Sequence, residues 1–152
     1  ITIHQTNNQA TLVEIRRQPE RFPRLNRVSF QEAMVRMNAV IHMAAMYKRN
    51  DLKPEEISFM SQALLTELLD EQKYGAKYLS FEEIARVIKR AILEQDIYLS
   101  TASLYRVIIE YIKNEGHEAD RQAKQKPEVR NIALEAKIGA ETMTMLTTNK
   151  IK

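Results

Sequence analysis

Residues 78–112 read YLSFEEIARVIKRAILEQDIYLSTASLYRVIIEYI. The stretch opens with Tyr78-Leu79-Ser80 and repeats that opening at Tyr98-Leu99-Ser100. After each opening the apolar residues recur with helical period. A Ser just before such a run is an N-cap, because its hydroxyl satisfies an orphan backbone N–H of the first turn. Leu79 with Ile84 and Leu99 with Leu104 have the spacing of a hydrophobic staple. The stretch therefore encodes two helices, over about 81–94 and 101–115. The same pattern lies upstream. Ser29 precedes PheGlnGlu, and Leu52 precedes Pro54, Glu55 and Glu56, which gives helices over about 30–49 and 54–73. Ser29 with Glu32 and Ser80 with Glu83 have capping-box spacing. Asn50, Gly75 and Gly116 are the expected C-terminal stops. The reading is an all-α fold, a single helical bundle of four main helices whose short connections favour mostly antiparallel neighbours.

The faces of these helices differ. In 81–94 the apolar stripe is Ile84, Ala85, Ile88, Ala91 and Ile92, with Glu82, Glu83, Arg86, Lys89 and Arg90 opposite. That is a one-sided amphipathic helix. In 101–115 only Arg106, Glu110 and Lys113 interrupt an apolar surface, so this helix is expected at the centre and most buried. Arg86-Val87-Ile88 returns as Arg106-Val107-Ile108, but on a helix of different character. The two segments are thus read as shared helix-start grammar and not as a duplication. Helix 30–49 carries Met34, Met37, Ile41, Ala44 and Ala45 on one face and Val35, Ala39, His42 and Met46 on a second.

Composition agrees with helices. Three glycines and four prolines are too few for a many-turned sheet, and a hydrophobic share of 44% can fill a core. With no Cys, disulfides, thiolate metal sites and a Cys nucleophile are excluded. No apolar run approaches the roughly 20 residues that span a bilayer, and no secretory signal pattern is seen. A cytoplasmic location is the expectation.

Charge is uneven. Between Leu12 and Arg27 five arginines face two glutamates, a net of +3, which equals the net +3 of the whole chain. Residues 1–29 read as an Arg-rich arm, with a short helix over Thr11 to Arg17 ending before Pro19. Residues 30–116 form the bundle core, and 117–152 a polar linker with a helical extension after Pro127. Arg16, Arg17, Arg21, Arg24 and Arg27 are the candidate nucleic-acid contacts, since Arg binds phosphate in a multidentate way. The alternative is an arm laid over the bundle, anchored by Phe22 and Leu25, with its arginines in solvent.

Other candidates are weaker. Met34, Met37, Met43 and Met46 suit either core filling or an adaptable partner face. His4, His42 and His117 lack metal spacing, so no metal or cofactor is expected. Glu67 borders an apolar face, but no second acid or nucleophile is placed to make it catalytic. No Gly-rich phosphate loop, zinc-protease or hydrolase motif occurs, and a non-enzymatic role is expected.

Two resemblances bear on function. The order LSFEEI, helix, connection, STASLYRVI resembles the helix-turn-helix half of Fur-type winged-helix regulators. It implies Ser80, Glu82, Glu83 and Ile84 at the first helix, with Thr101, Ser103, Tyr105 and Arg106 as groove contacts. The wing and the metal-binding His and Cys of that family have no counterpart here. From about Met43 to Asn114 the chain also looks like small helical proteins of phages and mobile elements, with a first part similar to phage helicase loaders. Ile108 to Ile112 fit the Ile–Tyr pattern of their last bundle helix. That resemblance implies an accessory protein meeting a DNA-replication partner, with a replicative helicase, a second copy of the chain, or DNA as the binding partner.

Overall fold

Side-chain caps start four of the five helices in a computed structural model that describes residues 11–116 and Arg121. Five helices follow one another: α1 (Leu12–Arg17), α2 (Phe30–Lys48), α3 (Pro54–Asp70), α4 (Phe81–Gln95) and α5 (Thr101–Tyr111). Short 3-10 turns occupy Leu25–Arg27 and Ala76–Tyr78, and a π turn, Ile112–Gly116, extends α5. Among the described residues the only β pairing is an isolated bridge between Arg24 and Ser80. The protein is an all-α helical bundle. Residues before Thr11, and the linker and extension after Gly116 apart from Arg121, lie outside the described residues.

Ser29, Ser80 and Ser100 each accept a hydrogen bond at 3.1 Å from the backbone N–H three residues on, as expected of N-caps. The two expected capping boxes are only half formed. Glu32 turns to Arg36 Nε at 2.7 Å, and Glu83 turns away to Arg16. Complete reciprocity is found at Thr11 and Glu14 instead. The stops also differ from expectation. Arg49 and Asp96, not Asn50, take the left-handed conformation, at φ 54° and 50°. α3 ends at Asp70 because Glu71 is extended and folds its carboxylate onto the following loop.

The bundle is a ring in which α2 packs on α3 and α4, and α5 packs on α3 and α4. Lys48 meets Asp96 at 2.8 Å where α2 and α4 both end, and Arg36 lies over the Phe81 ring near where both begin. These two neighbours are therefore parallel. Thr101 borders the middle of α3, between Phe59 and Glu67, and Tyr105, one turn on, lies near the charges of Glu71, Glu67 and Asp70 at the end of α3, so α3 and α5 run parallel as well. The expectation of mostly antiparallel neighbours fails for half the ring. The cause is the 71–80 connection, which carries the chain across the bundle instead of back along α3.

Burial reverses a second expectation. α4 is the most enclosed helix: Phe81, Ile84, Ala85, Val87, Ile88, Ala91 and Ile92 are buried, and so are Glu82 and Glu83. In α5 only Ser103, Leu104, Ile108 and Tyr111 are buried, while Tyr105, Val107 and Ile109 are half-buried and Arg106 and Glu110 exposed. The segment 11–29 makes the difference. It is no free arm, since Ile15, Phe22 and Leu25 are buried and α1 packs on α4. The polar face of α4 is thereby covered, which periodicity within one helix cannot reveal.

Candidate functional site

The cavity that gathers most chemistry lies where 11–29, the 71–80 loop, α4 and the π turn meet. Its volume is about 240 Å³, and its walls include Phe22, Tyr74, Tyr78, Arg16, Arg24 and Ser80. Each wall has a local cause. Gly75 stands at φ 73°, and a Cβ there would come within 3.2 Å of the Tyr78 ring, so glycine lets Tyr78 fold back. Glu71 accepts from Tyr74 N at 2.7 Å and Ala76 N at 3.2 Å and so holds the loop that carries both tyrosines. Desolvation works against the Glu71 charge. Backbone N–H groups of Tyr74, Ala76, Lys73 and Gly75 outweigh it, and the pKa falls below the usual carboxylate range. Leu25 N donates to Leu79 O at 2.9 Å and ties the arm to the other edge of the same loop.

The floor is a buried charge network. Arg16 Nε donates to both carboxylate oxygens of Glu83, at 3.0 and 3.1 Å, and Nη2 donates to Oε2 at 2.5 Å. Tyr111 Oη donates to the same Oε2 at 2.5 Å. The side chains of Arg16 and Glu83 are 11% and 2% exposed. Burial alone would lower the Arg16 pKa, but the Glu83 carboxylate raises it. Burial and the Glu83 charge likewise push the Tyr111 hydroxyl up, so it remains a donor. This network is spent on structure. It joins α1 to α4 and α5, and leaves neither carboxylate oxygen without a partner.

The rim is different. Lys73 and Lys113 both lie over the Tyr74 ring, at 5.2 and 5.8 Å, Lys77 lies over Tyr78 at 5.5 Å, and Arg21 over Phe22 at 5.0 Å. Arg24 has one hydrogen bond, from Nη2 to Arg16 O at 3.4 Å. Among the described residues none of these five cations is in an ion pair. Of the nearby acids, Glu83 is held by Arg16 and Tyr111 and Glu71 by its loop, while Glu20 and Asp70 are exposed. The result is a patch rich in positive charge interleaved with aromatic side chains.

Of the five arginines expected to meet nucleic acid, the fold brings Arg16, Arg21 and Arg24 to this site. Arg16 is corrected from contact residue to floor of the cavity, because Glu83 holds it. Arg27 is exposed on the 3-10 turn and Arg17 is half-buried on α1. The loop cations Lys73, Lys77 and Lys113 were not anticipated. Their signal is the spaced pair Lys73-Tyr74 and Lys77-Tyr78, which puts a Lys before each ring.

The helix-turn-helix contact set does not assemble. Ser103 is buried beside Leu104, Thr101 and Tyr105 are half-buried, and Arg106 alone is exposed. α5 packs on both α3 and α4, so it spends the face that would enter a groove. Glu67 is exposed on α3; the buried carboxylates are Glu71, Glu82 and Glu83. Met37 and Met43 fill the core, Met34 is half-buried, and Met46 is exposed. His42 is exposed, and His4 and His117 lie outside the described residues. Val35, Ala39, His42 and Met46 remain an exposed stripe on α2. Among the described residues no cluster of His, Asp or Glu has metal-ligand geometry, and no helix is long and apolar enough to cross a membrane.

Fold and site together define the class: an all-α bundle with a basic, aromatic-walled cavity at one end. No protein-family model, no curated protein and no solved structure matches the chain.

Proposed function

We propose that the chain is a non-enzymatic accessory protein that binds single-stranded DNA on the face formed by segment 11–29, the 71–80 loop and the end of α5. One observation carries the reading: Arg24 lines the cavity, and Arg21, Lys73, Lys77 and Lys113 lie over the aromatic rings that wall it, none with an ion-pair partner among the described residues. Cations beside aromatic side chains are the recurrent means of holding a single strand, and a base that stacks here displaces the cation from the ring it lies over. A duplex hides its base faces and would use only the charges. A replicative helicase as protein partner rests on the likeness to phage helicase loaders alone, and no surface is assigned to it.

The test is binding of a labelled mixed-sequence single strand at two salt concentrations, measured by fluorescence anisotropy. Affinity should fall steeply with salt, with a log–log slope of about −0.7 for each phosphate neutralised. Lys73→Ala and Lys77→Ala should each flatten that slope by roughly one contact. Binding that is absent at low salt, or a slope the two variants leave unchanged, rejects the reading.

A further inference from the structure

We propose that the 240 Å³ cavity receives one unstacked base of the bound strand, and that its donor-rich lining favours a keto base, thymine or guanine, over cytosine or adenine. The inference rests on the single-strand reading above and deepens it.

Size comes first. Sites for drug-sized molecules run to about 300–1,000 Å³, so this cavity suits one planar ring system and not a whole cofactor. Shape agrees. Phe22, 2% exposed, stands inside, and Tyr74 and Tyr78 form the outer wall, Tyr78 being 56% exposed and so able to meet a base entering from solvent. Ile15, Leu79 and Ile112 supply apolar edges. A base with its phosphate outside would leave that phosphate among the rim cations.

Polarity narrows the choice. The Glu83 carboxylate is the strongest acceptor in the lining, but Arg16 and Tyr111 already use both its oxygens. An exocyclic amino group would have to compete with Arg16 for Oε1, the one oxygen with acceptor capacity left, on a side chain only 2% exposed. Donors are available. Nε and Nη1 of Arg24 carry no hydrogen bond among the described residues. The Ser80 hydroxyl accepts from Glu83 N at 3.1 Å and keeps its own proton to give. A keto oxygen is what such a lining can satisfy, and arginine is the side chain that most often reads guanine O6 and N7.

The experiment compares a twelve-nucleotide thymine strand with a cytosine strand of equal length whose bases carry a 5-methyl group, so that the two differ only at N3 and the 4-position. The thymine strand should bind several-fold tighter, and Arg24→Gln should abolish that preference while cytosine binding changes only through charge. Tyr78→Ala, at an exposed position that the fold tolerates, should weaken the thymine strand about tenfold. A 5-iodouracil strand irradiated in the complex should crosslink to Tyr74 or Tyr78. Equal binding of the two strands, or crosslinks only at other residues, overturns the base pocket while leaving the single-strand reading intact. Failure of any strand to bind removes both. Saturable binding of thymidine monophosphate without strand binding moves the ligand from a strand to a free nucleotide and overturns the proposal as stated.

Discussion

α4 and α5 are entered through the same Tyr-Leu-Ser and capped by the same serine geometry, at 3.1 Å in both. Their fates diverge in the first turn. At α4 the residues after the cap are Phe81, Glu82 and Glu83, all buried. At α5 they are Thr101, Ala102 and Ser103, of which only Ser103 is buried. By hydrophobic content the order should be the reverse. α4 is enclosed over its first turns because α2, α5 and α1 pack on it, while Arg90, Leu93, Glu94 and Gln95 toward its end stay exposed. α5 has α3 and α4, and its remaining face is left to Arg106 and Glu110. A helix is buried by what the rest of the chain lays upon it, and its own stripe sets only the minimum.

That contrast can be broken most sharply at the charges. Glu83→Ala would leave Arg16 buried without its carboxylate and strand the Tyr111 hydroxyl. It should destabilise the fold by about 3–5 kcal/mol in urea unfolding. Arg106→Ala on α5 should stay within about 0.5 kcal/mol. Comparable losses at the two positions would mean that α5 is as enclosed as α4.

Apolar truncation sharpens the same point. Ile84→Ala, in the fully buried stripe of α4, should cost about 2–5 kcal/mol. Ile109→Ala, half-buried on α5, should cost roughly 1 kcal/mol. A reversed order in thermal or urea unfolding would restore α5 as the centre.

The smallest effect is expected at Glu82, next to Glu83 but without its partner. Glu82 Oε1 has no hydrogen-bond partner among the described residues. Burial raises its pKa, and the Arg36 charge offsets this only in part. Between the ordinary carboxylate value and the raised folded value, the native state holds a proton that the unfolded chain releases. Stability therefore falls as pH rises through that window. Glu82→Gln should remove this fall, gaining up to about 1 kcal/mol at pH 7 and converging with the wild type at acidic pH. A loss at pH 7 would show that Arg36 compensates the buried charge. Adjacent glutamates on one helix would then respond alike.

Much of the fold is legible residue by residue. Ser29, Ser80, Ser100 and Pro54 mark helix starts through local backbone chemistry, and local chemistry does not depend on the rest of the chain. The second face of α2, Val35, Ala39, His42 and Met46, could be read from spacing, and it stands exposed. The cavity was half legible. The arginine excess drew notice to segment 11–29, but nothing local says that Arg16 meets Glu83 across the chain while Arg24 keeps free donors. Lys113 lies far in sequence from Tyr74, and only packing brings them to 5.8 Å.

By itself, then, the sequence determined where helices begin, that they form an all-α bundle, and that positive charge gathers before residue 28. These follow from interactions within a few residues, whose geometry the backbone already sets. Only the tertiary structure decided that α4 and not α5 is the enclosed helix, that α2 and α4 run parallel, and which cations remain unpaired. Those outcomes depend on the ten-residue crossing at 71–80 and on the segment 11–29 lying on α4, contacts between residues distant along the chain. Burial and pairing are properties of the assembled neighbourhood, and for the Arg16–Glu83 floor and the open Arg24 rim that neighbourhood separates structure from the proposed binding surface.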